Sequence, residues 1–175
     1  MLISSKCSKP TESERTLIRM NAEYINLFIS AVAQVYEETI QTTLTIGNKS
    51  IRSGNAYSKN VVVLIGLTGQ VRGSVTVSMD EEYAKGVASK MMCGMPVDVF
   101  DEMPQSAIRE MTNMTMGRVA SLFEKMGKVI DITPPTLMTG QSISISNEIT
   151  PTLVLGFNDG SNENVVELDI AIMDV

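Results

Sequence analysis

SAIREMTNMTMG, residues Ser106–Gly117, reads as the middle of an amphipathic helix, and the rest of the chain is organised around its two faces. At about 100° per residue, Ser106, Glu110, Asn113 and Gly117 fall within one arc of roughly 60°. Ile108, Met111, Thr115, Val119, Leu122 and Met126 form an apolar stripe on the opposite side, which has to be buried. The polar arc offers a hydroxyl, a carboxylate, a carboxamide and a patch of bare backbone, with few of the Lys and Glu that coat a solvated helix. The spacing predicts a helix from about Gln105 to Lys125, with Gly127 as its C-terminal stop.

Upstream, Ile25, Phe28, Ile29, Val32, Val35 and Tyr36 recur at helical spacing and predict a first helix from Met20 to about Ile40. The period then changes to two. Leu44, Ile46 and Ile51 suggest a strand, followed by a loop at Ser53-Gly54-Asn55. Val61–Leu67 is a nearly continuous apolar run, as in a strand buried on both faces. Beyond a turn at Thr68-Gly69-Gln70, Val71, Gly73, Val75, Val77 and Met79 alternate with Arg72, Ser74, Thr76 and Ser78, the pattern of a half-buried hairpin strand. Asp80 stands at an N-cap position before a second helix to about Met92, and Glu81 and Glu82 suit its positive end. Gly94 and Pro96 end that helix, and Asp98–Pro104 is an acidic connector.

Downstream of the central helix, Pro134-Pro135 forces a loop. Ile143 and Ile145 alternate with serines, Thr152–Phe157 and Val166–Met173 read as strands, and Asp159-Gly160-Ser161-Asn162 joins the last two as a hairpin turn. Strands do not alternate singly with helices, which disfavours a doubly wound parallel sheet. The expectation is an α+β fold: a six-stranded antiparallel sheet packed against long helices, in two weakly duplicated helix-plus-three-strand halves.

Composition narrows the chemistry. At 175 residues, 43% hydrophobic and 19% charged, the chain suits one folded domain. Residues 1–19 lack apolar periodicity and read as a flexible extension, so the domain is placed at 20–175. A net charge of −6 without a basic stripe disfavours nucleic acid. No apolar run approaches the roughly 18 residues of a membrane span, and the polar N-terminus is no signal peptide, which together point to the cytoplasm. Two cysteines, Cys7 and Cys93, are too few for a disulfide framework or a zinc site. With no histidine, Ser-His and Cys-His nucleophile pairs are excluded within this chain.

Ser106-x-x-x-Glu110-x-x-Asn113, followed about twenty residues on by Pro134-Pro135, resembles the signature of the CheC/CheX/FliY chemotaxis phosphatases, and the element order resembles CheX. The resemblance covers about 20–175. It implies a cytoplasmic phosphatase that removes the phosphoryl group from the aspartyl phosphate of a phosphorylated CheY-type response regulator. Asn113 would orient the attacking water, Glu110 would pair with the regulator's active-site lysine, and Ser106 would bond at the edge of the contact. Pro134 or Pro135 would supply the motif proline, with Pro135 fixing the loop beside the helix. No cofactor or metal is expected in this chain, because Mg2+ would sit on the regulator. A homodimer is implied, with sheet edges as the candidate contact.

Gly117 has two readings: room for an approaching partner, or tight packing against a strand. Met114 flanks the site. Glu23-x-x-Asn26 on the first helix is a second candidate pair, since CheC-type members carry two active helices. It is disfavoured because Arg19 stands where Ser or Asp belongs, Ser30 replaces the glycine, and no proline follows at the motif spacing. The competing functions are a non-catalytic regulator-binding or flagellar-switch-like domain, and an interaction domain whose polar helix face contacts nothing in particular.

Overall fold

The computed structural model describes residues 22–52, 57–146, 152–161 and 163–175. The proposed extension at 1–19, the loop at Ser53-Gly54-Asn55 and Asn162 of the last turn lie outside them. Among the described residues, three helices, α1 (Ala22–Ile40), α2 (Glu81–Met91) and α3 (Glu102–Lys125), pack on an antiparallel sheet of β1 (Thr45–Arg52), β2 (Val61–Gly69), β3 (Val71–Met79), β4 (Ile130–Ile132), β5 (Thr136–Thr139), β6 (Thr152–Asn158) and β7 (Val166–Asp174).

The α+β class holds, but the sheet has seven strands in the order β1-β6-β7-β3-β2-β4, with β5 also on β2. The missed strands flank Pro134-Pro135. Proline has no N–H for a ladder, so one edge excursion is split into β4, which pairs Gly69–Leu67, and β5, which pairs Leu64–Val61. The expected strand at Ile143 and Ile145 is absent; Ser144 makes only an isolated bridge. The duplication is visible as an exchange. β1 of the first half pairs with β6 of the second, while β4 and β5 of the second pair with β2 of the first.

The core lies between the helices and one sheet face. Phe28, Val32, Val35 and Tyr36 of α1 are buried as expected, whereas Ile25 and Ile29 are only partly covered. They meet Val63, Ile65 and Leu67, Val75 and Val77, and Leu168 and Ile170. Gly69, with φ 106°, turns the β2–β3 hairpin. β1 runs through Ile46 to Arg52 with a bulge at Gly47, and Ile46 is exposed, so its period-two reading was too simple.

Two local expectations change. Asp80 occupies the N-cap of α2, but its carboxylate pairs with Lys59 Nζ at 2.6 Å, and Asn60 Oδ1 accepts the Glu81 N–H at 2.8 Å instead. β3 is half-solvated only in its first half, where Arg72 is exposed; Thr76 and Ser78 are buried on the face away from the helices. Asp169, opposite Thr76, is buried there too, and burial pushes its carboxyl up to about 6 against the pull of Arg52. Arg52 Nε lies 3.1 Å from Asp169 Oδ2 and its Nη2 3.2 Å from Glu167 Oε2, with the guanidinium 4.6 Å from the centre of the Tyr57 ring.

Candidate functional site

α3 begins three residues earlier than the spacing suggests, at Glu102. Asp101 caps it by accepting the Met103 N–H at 3.3 Å, and Pro104 sits in the first turn, where its missing N–H costs nothing. The Gln105 amide donates to the Phe100 carbonyl at 2.9 Å and ties down the entering chain. At the other end Gly127, with φ 79°, donates to Glu124 O while Lys128 N–H reaches Phe123 O at 3.0 Å, a Schellman stop.

Ile108, Met111, Thr115 and Val119 are buried as the stripe requires, while Leu122 is half-buried and Met126 is 38% exposed. Met126 falls beyond the last helical turn and leaves the stripe. Thr112, Met116 and Phe123 are buried as well, because α1 and α2 both pack on α3 and widen its covered arc. Phe123 anchors this packing, edge-on to Tyr24 at 4.9 Å and to Phe28 at 6.1 Å between ring centres.

What remains uncovered is the polar arc. It forms one wall of a pocket of about 500 Å³ lined by Ser106, Arg109, Glu110 and Asn113 from α3 and by Ile132, Thr133, Pro134 and Pro135 from the β4–β5 connection. The sheet edge fixes the second wall. Thr133 N–H donates to Gly66 O at 3.0 Å, and its Oγ1 accepts the Gly66 N–H at 2.8 Å. A side chain at Gly66 would press on Thr133, with an added Cβ 3.0 Å from its Cγ2. Both prolines therefore hang from a strand edge that is pinned one residue before them, and both line the pocket.

The site side chains are chemically unengaged. Thr112 and Thr115 turn their hydroxyls back to the carbonyls of Ile108 and Met111 at 2.9 and 2.8 Å. Ser106, Arg109, Glu110 and Asn113 make no side-chain hydrogen bond or ion pair among the described residues. Ser106 and Glu110 are exposed and Asn113 is half-buried. The arrangement offers an acceptor, a cation and a two-way carboxamide on one rigid helix. Among the described residues, no group of three His, Cys, Asp or Glu side chains is placed to hold a metal ion.

Gly117 lies one turn further along α3 and does not line the pocket. A Cβ there would meet no atom of another element within 4 Å among the described residues, so the reading of tight packing against a strand fails. Met114 is 38% exposed beside the arc. Glu23 and Asn26 are exposed on α1 and are not brought to this pocket. Sequence reasoning missed Arg109 and Thr133. The first stands four before Asn113 on the same helical side, and the second immediately precedes the proline pair.

The chain is similar to known chemotaxis proteins. Residues 61–165 match the model of the family "Chemotaxis phosphatase CheX". The CheY-P phosphatase CheX of Thermotoga maritima is 36% identical over 128 residues, covering 73% of this chain and 83% of that protein. A crystal structure of a CheX-CheY-BeF3-Mg2+ complex from Borrelia burgdorferi superposes with a TM-score of 0.72 at 30% identity, covering 86% of this chain and 98% of that one. A CheC-like superfamily protein from Shewanella sp. PV-4, at 24% identity and a TM-score of 0.78 over 88% of this chain and 99% of that chain, shares the fold.

Proposed function

Since this chain belongs to the chemotaxis phosphatase CheX family, we propose that it hydrolyses the aspartyl phosphate of a CheY-type response regulator, with Asn113 and Glu110 as its working residues. The observation that carries this reading is the set of unengaged polar side chains on one helix face, opening into a pocket beside the proline pair.

An acyl phosphate is activated, yet its hydrolysis needs a water held in line with the scissile P–O bond. A carboxamide suits this, since it accepts one hydrogen bond from the water and donates another toward the phosphoryl group. Asn113 fixes the water's direction. The water oxygen bonds to phosphorus, the P–O bond to the aspartyl oxygen breaks, and the electron pair leaves with the regenerated carboxylate. Both of the water's protons end on inorganic phosphate, released as dihydrogen phosphate. Glu110, one helical step away and exposed, takes the regulator's lysine and sets the helix over the phosphoryl group. Ser106 bonds at the rim, Pro135 and its neighbour hold the facing loop, and Gly117 leaves space for the partner's backbone.

Mg2+ belongs to the regulator in this reading, in keeping with the Mg2+-containing relative complex. It would neutralise phosphoryl charge there. The protein works in the cytoplasm and as a homodimer; β1, which has only β6 as its strand partner among the described residues, is the edge offered for pairing.

The test follows decay of a phosphorylated CheY-type regulator with wild type, Glu110→Ala and Asn113→Ala. Wild type accelerates decay, Asn113→Ala binds without acceleration, and Glu110→Ala loses binding. A wild-type chain that binds a panel of such regulators and speeds none of them would replace the phosphatase by a binding module.

A further inference from the structure

Among the described residues Arg109 is the one cation lining the pocket, and the proposed hydrolysis does not employ it. Its setting differs from that of an ordinary surface arginine. Arg118, further along the same helix, is tied to Glu38 at 2.7 Å. Arg109 is half-buried in the pocket wall and has no hydrogen-bond or ion-pair partner among the described residues. A guanidinium partly withdrawn from water, with five rigid N–H donors unmatched, is a site for an oxyanion.

Its place on α3 sharpens this. About the helix axis Arg109 lies roughly 60° to one side of Ser106, and Glu110 roughly 40° to the other, with Asn113 between them. The face thus presents cation, carboxamide and anion in sequence across one turn. The chain as a whole carries −6, so this positive point is local and does not reflect a general basic surface. A partner that offers an ammonium to Glu110 and an oxyanion beyond it would match the face in both signs.

We propose that Arg109 is the oxyanion-binding arm of this site, donating to an oxygen of the phosphorylated partner while Glu110 holds its lysine; the assignment rests on the phosphatase reading above. Two oxyanions are available: a phosphoryl oxygen, or a carboxylate bordering the partner's phosphorylation site. A phosphoryl contact strengthens as charge spreads over the equatorial oxygens, and so acts on turnover. A carboxylate contact acts equally before and during reaction, and so acts on affinity.

The experiment measures decay of the phosphorylated, Mg2+-loaded regulator against chain concentration for wild type, Arg109→Ala, Arg109→Lys and Asn113→Ala. Binding to the unphosphorylated and the beryllofluoride-activated regulator is measured alongside. Arg109→Ala is expected to keep the wild-type melting temperature and to lose roughly ten- to a hundredfold in kcat/KM. Arg109→Lys is expected to recover part of that loss. A fall confined to kcat, with affinity for the unphosphorylated regulator unchanged, assigns the phosphoryl oxygen. A rise in KM at constant kcat, with weaker binding to both forms, assigns the carboxylate. Activity of Arg109→Ala within about twofold of wild type, while Asn113→Ala is inactive, overturns the role and leaves the phosphatase reading intact. Wild type that fails to accelerate decay overturns the phosphatase reading instead. Equal affinity of wild type and Arg109→Ala for the activated regulator then removes Arg109 as well.

Discussion

Replacing Gly117 separates folding from docking at one position. It lies inside the 24-residue helix α3, and an added Cβ meets no atom of another element within 4 Å among the described residues. Gly117→Ala therefore gains the full helix-propensity difference, about 1 kcal/mol, with no steric term against it. For a domain of this size that is a rise of roughly 2–4 °C in melting temperature. Gly117→Leu gains a similar propensity, but its side chain projects about 4 Å over the face where the partner's backbone is placed. It should melt at least as high as wild type and slow dephosphorylation at least about tenfold, equivalent to about 1.4 kcal/mol of lost transition-state stabilisation. Circular dichroism melting and regulator dephosphorylation, run on the same preparations, check both halves. A destabilised Gly117→Ala would show that the space above Gly117 is occupied within the fold. Full-rate catalysis by Gly117→Leu would remove this turn of α3 from the contact.

Three further outcomes are expected. Burial raises the Asp169 carboxyl to about 6 from its ordinary value of 3.8, so the folded state binds more protons than the unfolded chain between those values. That stabilising contribution is full below the unfolded value and is lost as pH rises through about 6; urea titrations from pH 4 to 7 should show wild type losing up to roughly 3 kcal/mol relative to Asp169→Asn, and parallel pH profiles would sink the argument. Gly73 has φ 144°, and an added Cβ would overlap the Ala171 carbonyl on β7, so Gly73→Ala should lose about 3 kcal/mol or more in chemical denaturation; a near-neutral result would contradict the β3–β7 register. Thr133→Val keeps the shape but removes the acceptor of the Gly66 N–H at the sheet edge. It should cost under about 1 kcal/mol in stability because water can replace the hydroxyl, yet slow dephosphorylation about threefold or more by loosening the proline wall; an unchanged rate would show that this wall is not needed.

The helical elements were legible because their period is written in single residues. Ile108, Met111, Thr115 and Val119 mark the buried side of α3, and Ser106, Glu110 and Asn113 mark the other without reference to any distant residue. Gly127 works the same way, through a cap made within a turn of itself, whereas Asp101 stands in the stretch read as a connector and its capping role was missed. The split strand at Ile130–Ile132 and Thr136–Thr139 was not legible, since each piece is too short for a period and both exist only through pairing with β2. Thr76 and Ser78 look like solvent-facing residues in any local window. They are buried because Asp169 lies opposite Thr76 and Tyr57 covers that face, both far away in the chain.

The sequence by itself determined the polar face of α3: a hydroxyl, a carboxylate and a carboxamide on one side of a helix whose other side must be buried. That information is local, because helix geometry converts spacing directly into direction. The tertiary structure decided what stands opposite. Exchange of the first strands between the halves sets β4 and β5 on the edge of β2 and beside α3, and Gly66 then pins Thr133 so that the proline pair closes a pocket with Asn113. It also decided that Arg109 faces that pocket with no counter-ion among the described residues and that Gly117 has open space above it among them, since absence of a neighbour depends on every element around it.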